Sequence, residues 1–164
     1  MRRTRAILAA ALIALVPAGA SARVVEATWT DAAKRVFVQR NAKGQSFQLP
    51  EVRAFDAEGR PILRLMPAGT STVGQLRQAA AGGRVIAGAT LDDVLSAFEL
   101  RDGGGPVRPA VGTPSLVVVD FWAEWCVPCK AVSHDLDRWL ATQPEGSVTL
   151  IRAETDFMAA ARGQ

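Results

Sequence analysis

The chain's two cysteines, Cys126 and Cys129, are its only ones and are separated by two residues within Val119-Asp120-Phe121-Trp122-Ala123-Glu124-Trp125-Cys126-Val127-Pro128-Cys129-Lys130. The run Leu116-Val117-Val118-Val119 leads into them, and a helical pattern opens at Cys126. A β-branched run this apolar reads as a central strand covered on both faces. The pair therefore sits where a buried strand hands over to a helix. So close a pair closes only a tiny loop, for which the chain-entropy account gives little stabilisation. Chemistry explains the cysteines better than structure does, and they read as a dithiol/disulfide centre. A metal site would need further Cys or His ligands, and His134 is the only histidine in the chain.

Residues 1–22 read as a secretory signal rather than as part of the fold. Arg2, Arg3 and Arg5 form a basic start, Ala6 to Val16 an apolar stretch, and Ala20-Ser21-Ala22 a small-x-small cleavage site. The apolar stretch is too short to span a bilayer, so stable membrane insertion after cleavage is not expected. Arg2-Arg3 also hints at a twin-arginine signal, but the residues after the pair match that pattern poorly. The whole chain carries 19 Lys+Arg against 16 Asp+Glu. Removing the signal takes away three arginines and no acid, leaving no net charge. The basic balance thus gives no support for a nucleic-acid or anionic-membrane partner. The expected address is the periplasm or another exported compartment, where disulfides persist.

The remaining residues, 23–164, suffice for one domain with a real core. A strand is expected over 24–28 and a helix over 31–39, capped by Thr30 or Asp31. Strands over 51–55 and 61–65 flank Asp56-Ala57-Glu58-Gly59-Arg60, a hairpin sequence with its glycine placed for positive φ. A helix is expected over 72–81, stopped by Gly82-Gly83. A second unit reads as a strand over 84–87, a helix over 91–100 opened by Thr90, and a Gly/Pro-rich loop over 101–114. After it come the strand over 115–121, the cysteine helix to about Thr142, a strand over 148–152 and a helix starting over 156–161. Alternating strands and helices indicate an α/β fold with a mixed sheet.

The block Val119 to Lys130 resembles thioredoxin over its whole length, differing mainly in Val127 between the cysteines. Residues 84 to 156 resemble the first half of that fold. Only 35 residues follow Cys129, too few for the second half. The missing half resembles upstream sequence: Leu49-Pro50-Glu51-Val52-Arg53-Ala54-Phe55-Asp56-Ala57-Glu58-Gly59 looks like the strand after the family's cis-proline with its hairpin, and residues 72–81 like its terminal helix. Val24 to Asp31 also looks like a second version of Val148 to Asp156. Together these are similar to the C-terminal periplasmic domain of the transmembrane thiol:disulfide interchange reductase with its halves exchanged. The resemblance implies a thioredoxin-like α/β fold, a mixed sheet flanked by helices, in circularly permuted order: 23–83 supplies the family's C-terminal half and 84–164 its N-terminal half. Two alternatives stand beside it, halves exchanged between neighbouring chains and a truncated tandem whose first segment packs otherwise.

Cys126, at a helix N-terminus, is expected to be the attacking thiolate, and Cys129 the resolving thiol. Asp120 matches the family's buried carboxylate behind the resolving cysteine, with desolvation raising its pKa so that it takes the Cys129 proton; a strand-end aspartate capping a turn is the plainer reading. Arg152 falls where the family has a basic residue near that carboxylate, or is a solvated surface arginine. Pro128 fixes the turn between the cysteines and starts the helix. Pro50, if cis, would face the cysteines and present the Leu49 backbone to an extended substrate; a trans strand-start proline is the alternative. Trp122 and Trp125 are expected around the cysteines, with Trp125 partly exposed to substrate. Glu124 and Lys130 read equally as surface charges or as modulators of thiolate stability, and His134 as a surface or packing residue rather than a catalytic one.

These features imply an exported thiol:disulfide oxidoreductase, needing no cofactor or metal, that acts on disulfide-containing envelope proteins and draws electrons from a source such as a membrane thiol reductase. A non-enzymatic binding or assembly module with an incidental disulfide is the competing class.

Overall fold

A computed structural model of the chain describes residues 22–43, 47–102, 105–106 and 115–157. Its centre is the apolar run, which forms β6 (Leu116–Trp122), buried on both faces up to Phe121. The run is covered on both sides because strands flank it and helices pack above and below. β7 (Val148–Glu154) pairs with it in parallel, Leu116 opposite Val148 and Asp120 opposite Arg152. β2 (Glu51–Asp56) pairs on its other edge, antiparallel, with Val52 opposite Asp120.

Beyond β2 lies β3 (Pro61–Leu65), its hairpin partner. Gly59 adopts φ +75°, and Asp56 holds the turn by accepting from the Glu58 and Arg60 N–H groups at 3.1 and 2.8 Å. β1 (Arg23–Trp29) lies parallel beside β7, and β4 (Phe98–Asp102) runs antiparallel on β1, followed by the short β5 (Gly105–Pro106). Among the described residues the sheet order is β3-β2-β6-β7-β1-β4-β5. The two similar segments at the chain's ends thus both join the sheet, side by side.

Alternation along β6 divides the core. Leu116 and Val118 point to one face, where Val52, Ala54, Leu150, Leu76 of α2 (Thr72–Gly82) and Val132, Leu136 and Leu140 of α4 (Val127–Leu140) close over them. Val117, Val119 and Phe121 point to the other, against Val25, Phe55, Ile151 and Leu91 and Val94 of α3 (Leu91–Leu95). On that second face α1 (Asp31–Ala42) is held by ring contacts of Phe37 with Trp29, Phe47 and Phe157 at 5.7, 5.2 and 5.5 Å. Thr30 caps α1, its hydroxyl accepting from the Ala33 N–H at 3.2 Å.

Two expected elements differ. Residues 84–87 form no strand: Val85 is exposed, and the segment meets the hairpin through one bond, Ile86 N–H to the Pro61 carbonyl at 2.8 Å. The helix expected to reach Leu100 stops at Leu95. Thr90 and Asp93 form a reciprocal capping box, yet Phe98 and Leu100 alternate inward as β4, because the free edge of β1 takes up a strand there. That strand also claims Arg101 and Asp102 from the expected loop. The signal at 1–22, apart from Ala22, and the last helix beyond Phe157 lie outside the described residues.

Candidate functional site

Cys126 is the N-cap of α4 and Pro128 stands in its first turn, where a missing N–H costs nothing. The two sulfurs are joined in a disulfide, with Cα atoms 5.2 Å apart. Cys129 is fully buried and Cys126 nearly so. The Cys129 backbone N–H donates to Cys126 Sγ at 3.3 Å. A sulfur at a helix N-terminus that receives a main-chain N–H is in a setting that favours its thiolate once the disulfide opens.

Around the disulfide pack Ala123, Trp122 and Leu49. Leu49 arrives from the far half of the chain, and the Leu49–Pro50 peptide bond is cis. The Pro50 carbonyl accepts from the Ala68 N–H at 2.7 Å, tying this turn to the end of the hairpin. A second cis bond, Met66–Pro67, lies nearby and had no counterpart among the sequence expectations. Trp125 and Val127 are the exposed large apolar side chains beside the cysteines, 38% and 78% accessible. Glu124 and Lys130 pair with each other at 2.6 Å in solvent-exposed positions. Thr155 fixes the exit of β6 through N–H and hydroxyl bonds to the Trp122 carbonyl, both 2.7 Å. Next to it, Asp156 accepts from the Glu124 N–H at 2.6 Å. A hydrogen bond to Asp156, with burial and the charges of Asp156, Glu124 and Glu26, raises the Glu154 pKa.

Asp120 is fully buried on the α4 side of β6. Its Oδ2 accepts from Ser133 Oγ at 2.6 Å, while Oδ1 has no hydrogen-bond partner among the described residues. Burial lifts this carboxyl from 3.8 to about 6, against the opposing pull of the Ser133 hydroxyl and of the Arg152 charge, with Asp137 adding a smaller upward push. Arg152 turns its guanidinium outward to Asp137 at 2.5 Å, so it acts on Asp120 through its charge. Trp122, Glu124, Lys130, Ser133, His134, Asp137 and Arg152 line a cleft of about 310 Å³ at this point.

Two residues with buried polar roles escaped the sequence reading. Ser133 lies four residues after Cys129, hence on the same helix face, and that spacing was the available signal. Glu51, directly after Pro50, is fully buried and accepts through Oε1 from Arg53 Nε at 2.6 Å and Arg64 Nε at 2.8 Å. Nothing local in the sequence marks it, because Arg64 reaches it only across the hairpin. A larger cleft of about 680 Å³, lined by Trp29, Phe37, Phe47, Phe98 and Phe121, lies on the opposite face of the sheet and touches neither cysteine. No group of His, Cys, Asp or Glu suited to a metal occurs among the described residues, and none of their helices is long and apolar enough to cross a membrane.

Residues 110–162 match the thioredoxin family model. The matched stretch holds β6, the cysteines, α4 and β7. Mitochondrial thioredoxin from Mus musculus is 36% identical over 62 residues, covering 38% of this chain and 37% of that protein. Thioredoxin 1 from a Nostoc species and thioredoxin from Pyropia yezoensis are each 45% identical over 40 residues, 24% of this chain and 36% of theirs. The chain spans little more than a third of the length of these curated relatives. No solved structure matches it. In sequence this segment is similar to thioredoxins, and it lies within a mixed α/β fold consistent with a thioredoxin-like one.

Proposed function

We propose that the protein is an exported thiol:disulfide oxidoreductase that reduces or exchanges disulfides in envelope proteins. One observation carries this reading: a disulfide at a helix N-terminus, its first sulfur receiving a main-chain N–H, on a helix that also bonds, through Ser133, a buried carboxyl pushed up to about 6. In the reduced protein the Cys126 thiolate attacks a substrate cystine, forming a mixed disulfide and releasing one substrate sulfur. Asp120 takes the proton of Cys129, whose thiolate then attacks Cys126 Sγ and releases the second. Two electrons pass to the substrate and the Cys126–Cys129 disulfide re-forms. Trp125, Pro128 and the Leu49–Pro50 turn are the surfaces to which an extended substrate would be held. No cofactor enters this chemistry, and the dithiol is renewed by an external thiol donor such as a membrane reductase.

The reading includes a domain over 23–164 that is a circular permutation of the thioredoxin fold, related to the periplasmic domain of the transmembrane interchange reductase. Its support is the position of the Leu49–Pro50 turn against the cysteines and of β2 beside β6. Export rests on the sequence of residues 1–22.

The test is an equilibrium redox titration of residues 23–164 in glutathione and dithiothreitol buffers. A midpoint near about −230 mV or lower supports a reductant, whereas one near about −120 mV indicates a disulfide donor. A pair that resists titration in the folded protein removes the catalytic reading in favour of a binding module, which would keep its function with both cysteines replaced by serine.

A further inference from the structure

Asp120 is sealed from solvent, yet a carboxylate that accepts a proton in every cycle must also release it. The described residues offer one side-chain route. Ser133 Oγ donates to Asp120 Oδ2 at 2.6 Å, and Ser133 itself lines the cleft formed with Trp122, Glu124, Lys130, His134, Asp137 and Arg152. No other side-chain hydrogen bond to Asp120 is found among the described residues. From β7, Arg152 gives its Nη2 group to Asp137, while its Nε is buried with no hydrogen-bond partner among the described residues. From β2, the residue opposite is the apolar Val52. On α4, Asp137 is turned to Arg152, and Cys129 lies one helical turn before Ser133. Oδ1, buried and unpartnered among the described residues, is the oxygen left to receive a proton.

We propose that the Ser133 hydroxyl is the proton relay between Asp120 and the cleft, a positioning and transfer role that rests on the oxidoreductase reading above. A hydroxyl has one proton to give and two lone pairs to accept with. While Asp120 is ionised, Ser133 donates to it. Once Oδ1 of Asp120 holds the Cys129 proton, the carboxyl rotates to present it to Ser133, whose hydroxyl accepts it and passes its own proton to water in the cleft. The balance is one proton from the Cys129 thiol to solvent water, with Asp120 and Ser133 restored.

The experiment measures, from pH 4 to 9, the steady-state rate at which a peptide disulfide is reduced over many turnovers with excess dithiothreitol as donor, so that Asp120 must release its proton in every cycle. The proteins are the unaltered chain, Ser133→Ala, Ser133→Thr and Asp120→Asn. The Asp120 carboxyl is titrated in parallel by carbon-13 NMR. Loss of a hydrogen bond to the charged form moves the Ser133→Ala carboxyl midpoint upward by about one pH unit. Loss of the relay lowers its plateau rate, above that midpoint, by about tenfold, at the modest end of proton-transfer effects. Ser133→Thr, which keeps the hydroxyl, restores both. A Ser133→Ala protein whose midpoint moves but whose plateau stays unchanged overturns the relay, because the hydroxyl then only tunes the carboxyl. A slow Asp120→Asn protein beside a normal Ser133→Ala protein likewise overturns it and leaves the oxidoreductase reading intact. An unaltered Asp120→Asn rate removes the carboxylate's role and the relay with it.

Discussion

Val52 lies directly opposite Asp120 in the antiparallel pairing of β2 with β6. The strand that leaves the cis Leu49–Pro50 turn therefore runs against the strand that delivers the cysteines, and Leu49 reaches the disulfide as a result. The site joins two stretches of sequence that are far apart, so its chemistry can be tested from either side.

Cys126→Ser should lose all turnover of a protein disulfide with dithiothreitol as donor. Cys129→Ser should instead accumulate a mixed disulfide at Cys126, seen as an added substrate mass under non-reducing conditions. Equal trapping by both variants would deny the assigned order of attack.

The disulfide form should lose stability as pH rises through about 6. Asp120 has a folded-state pKa of about 6 against an ordinary 3.8, so the native chain holds a proton that the unfolded chain releases. Its contribution is complete below about pH 4 and is lost through pH 6. Asp120→Asn should be more stable at pH 7 by about 2 to 3 kcal/mol, with the difference closing toward pH 4. Urea denaturation at several pH values measures this, and parallel curves for the two proteins would contradict it.

Glu51 and Arg64 should prove unequal partners in one ion pair. The Glu51 carboxylate is buried, while the Arg64 side chain is half exposed. Glu51→Gln takes away the charge that Arg53 and Arg64 share and should cost roughly 3 kcal/mol. Arg64→Ala leaves Arg53 in place and should cost about 1 kcal/mol or less. Similar losses would show that the buried charge is not the anchor.

Trp125 should affect substrate capture more than chemistry. It stands beside the cysteines with 38% of its surface accessible. Trp125→Ala should raise KM several-fold and leave kcat near its original value. A fall in kcat alone would assign the ring to the transition state.

Much of this arrangement was legible because the determining signals are local. The apolar run before Cys126 could only be a central strand, and the Asp56–Arg60 turn carries its own glycine and aspartate. Phe98 to Asp102 was misread because the Thr90–Asp93 cap starts a real helix, and only the open edge of β1 decides that the chain then extends. Residues 84–87 have β-forming side chains without a surface to bury them against. Asp120 could be singled out by its spacing from Cys126. Its bond to Ser133, and that of Glu51 to Arg64, depend on which faces meet, and this appears only after the strands have paired.

The β2–β6 pairing also sets an order in time. Asp56 meets Leu116 across a long stretch of intervening chain, and a ribosome makes the Leu49–Pro50 turn well before it makes Cys126 and Cys129. The residues of that wall are synthesised before the sulfurs they will cover. A chain interrupted before β6 would carry those residues with neither a thiol nor the strand against which they are aligned.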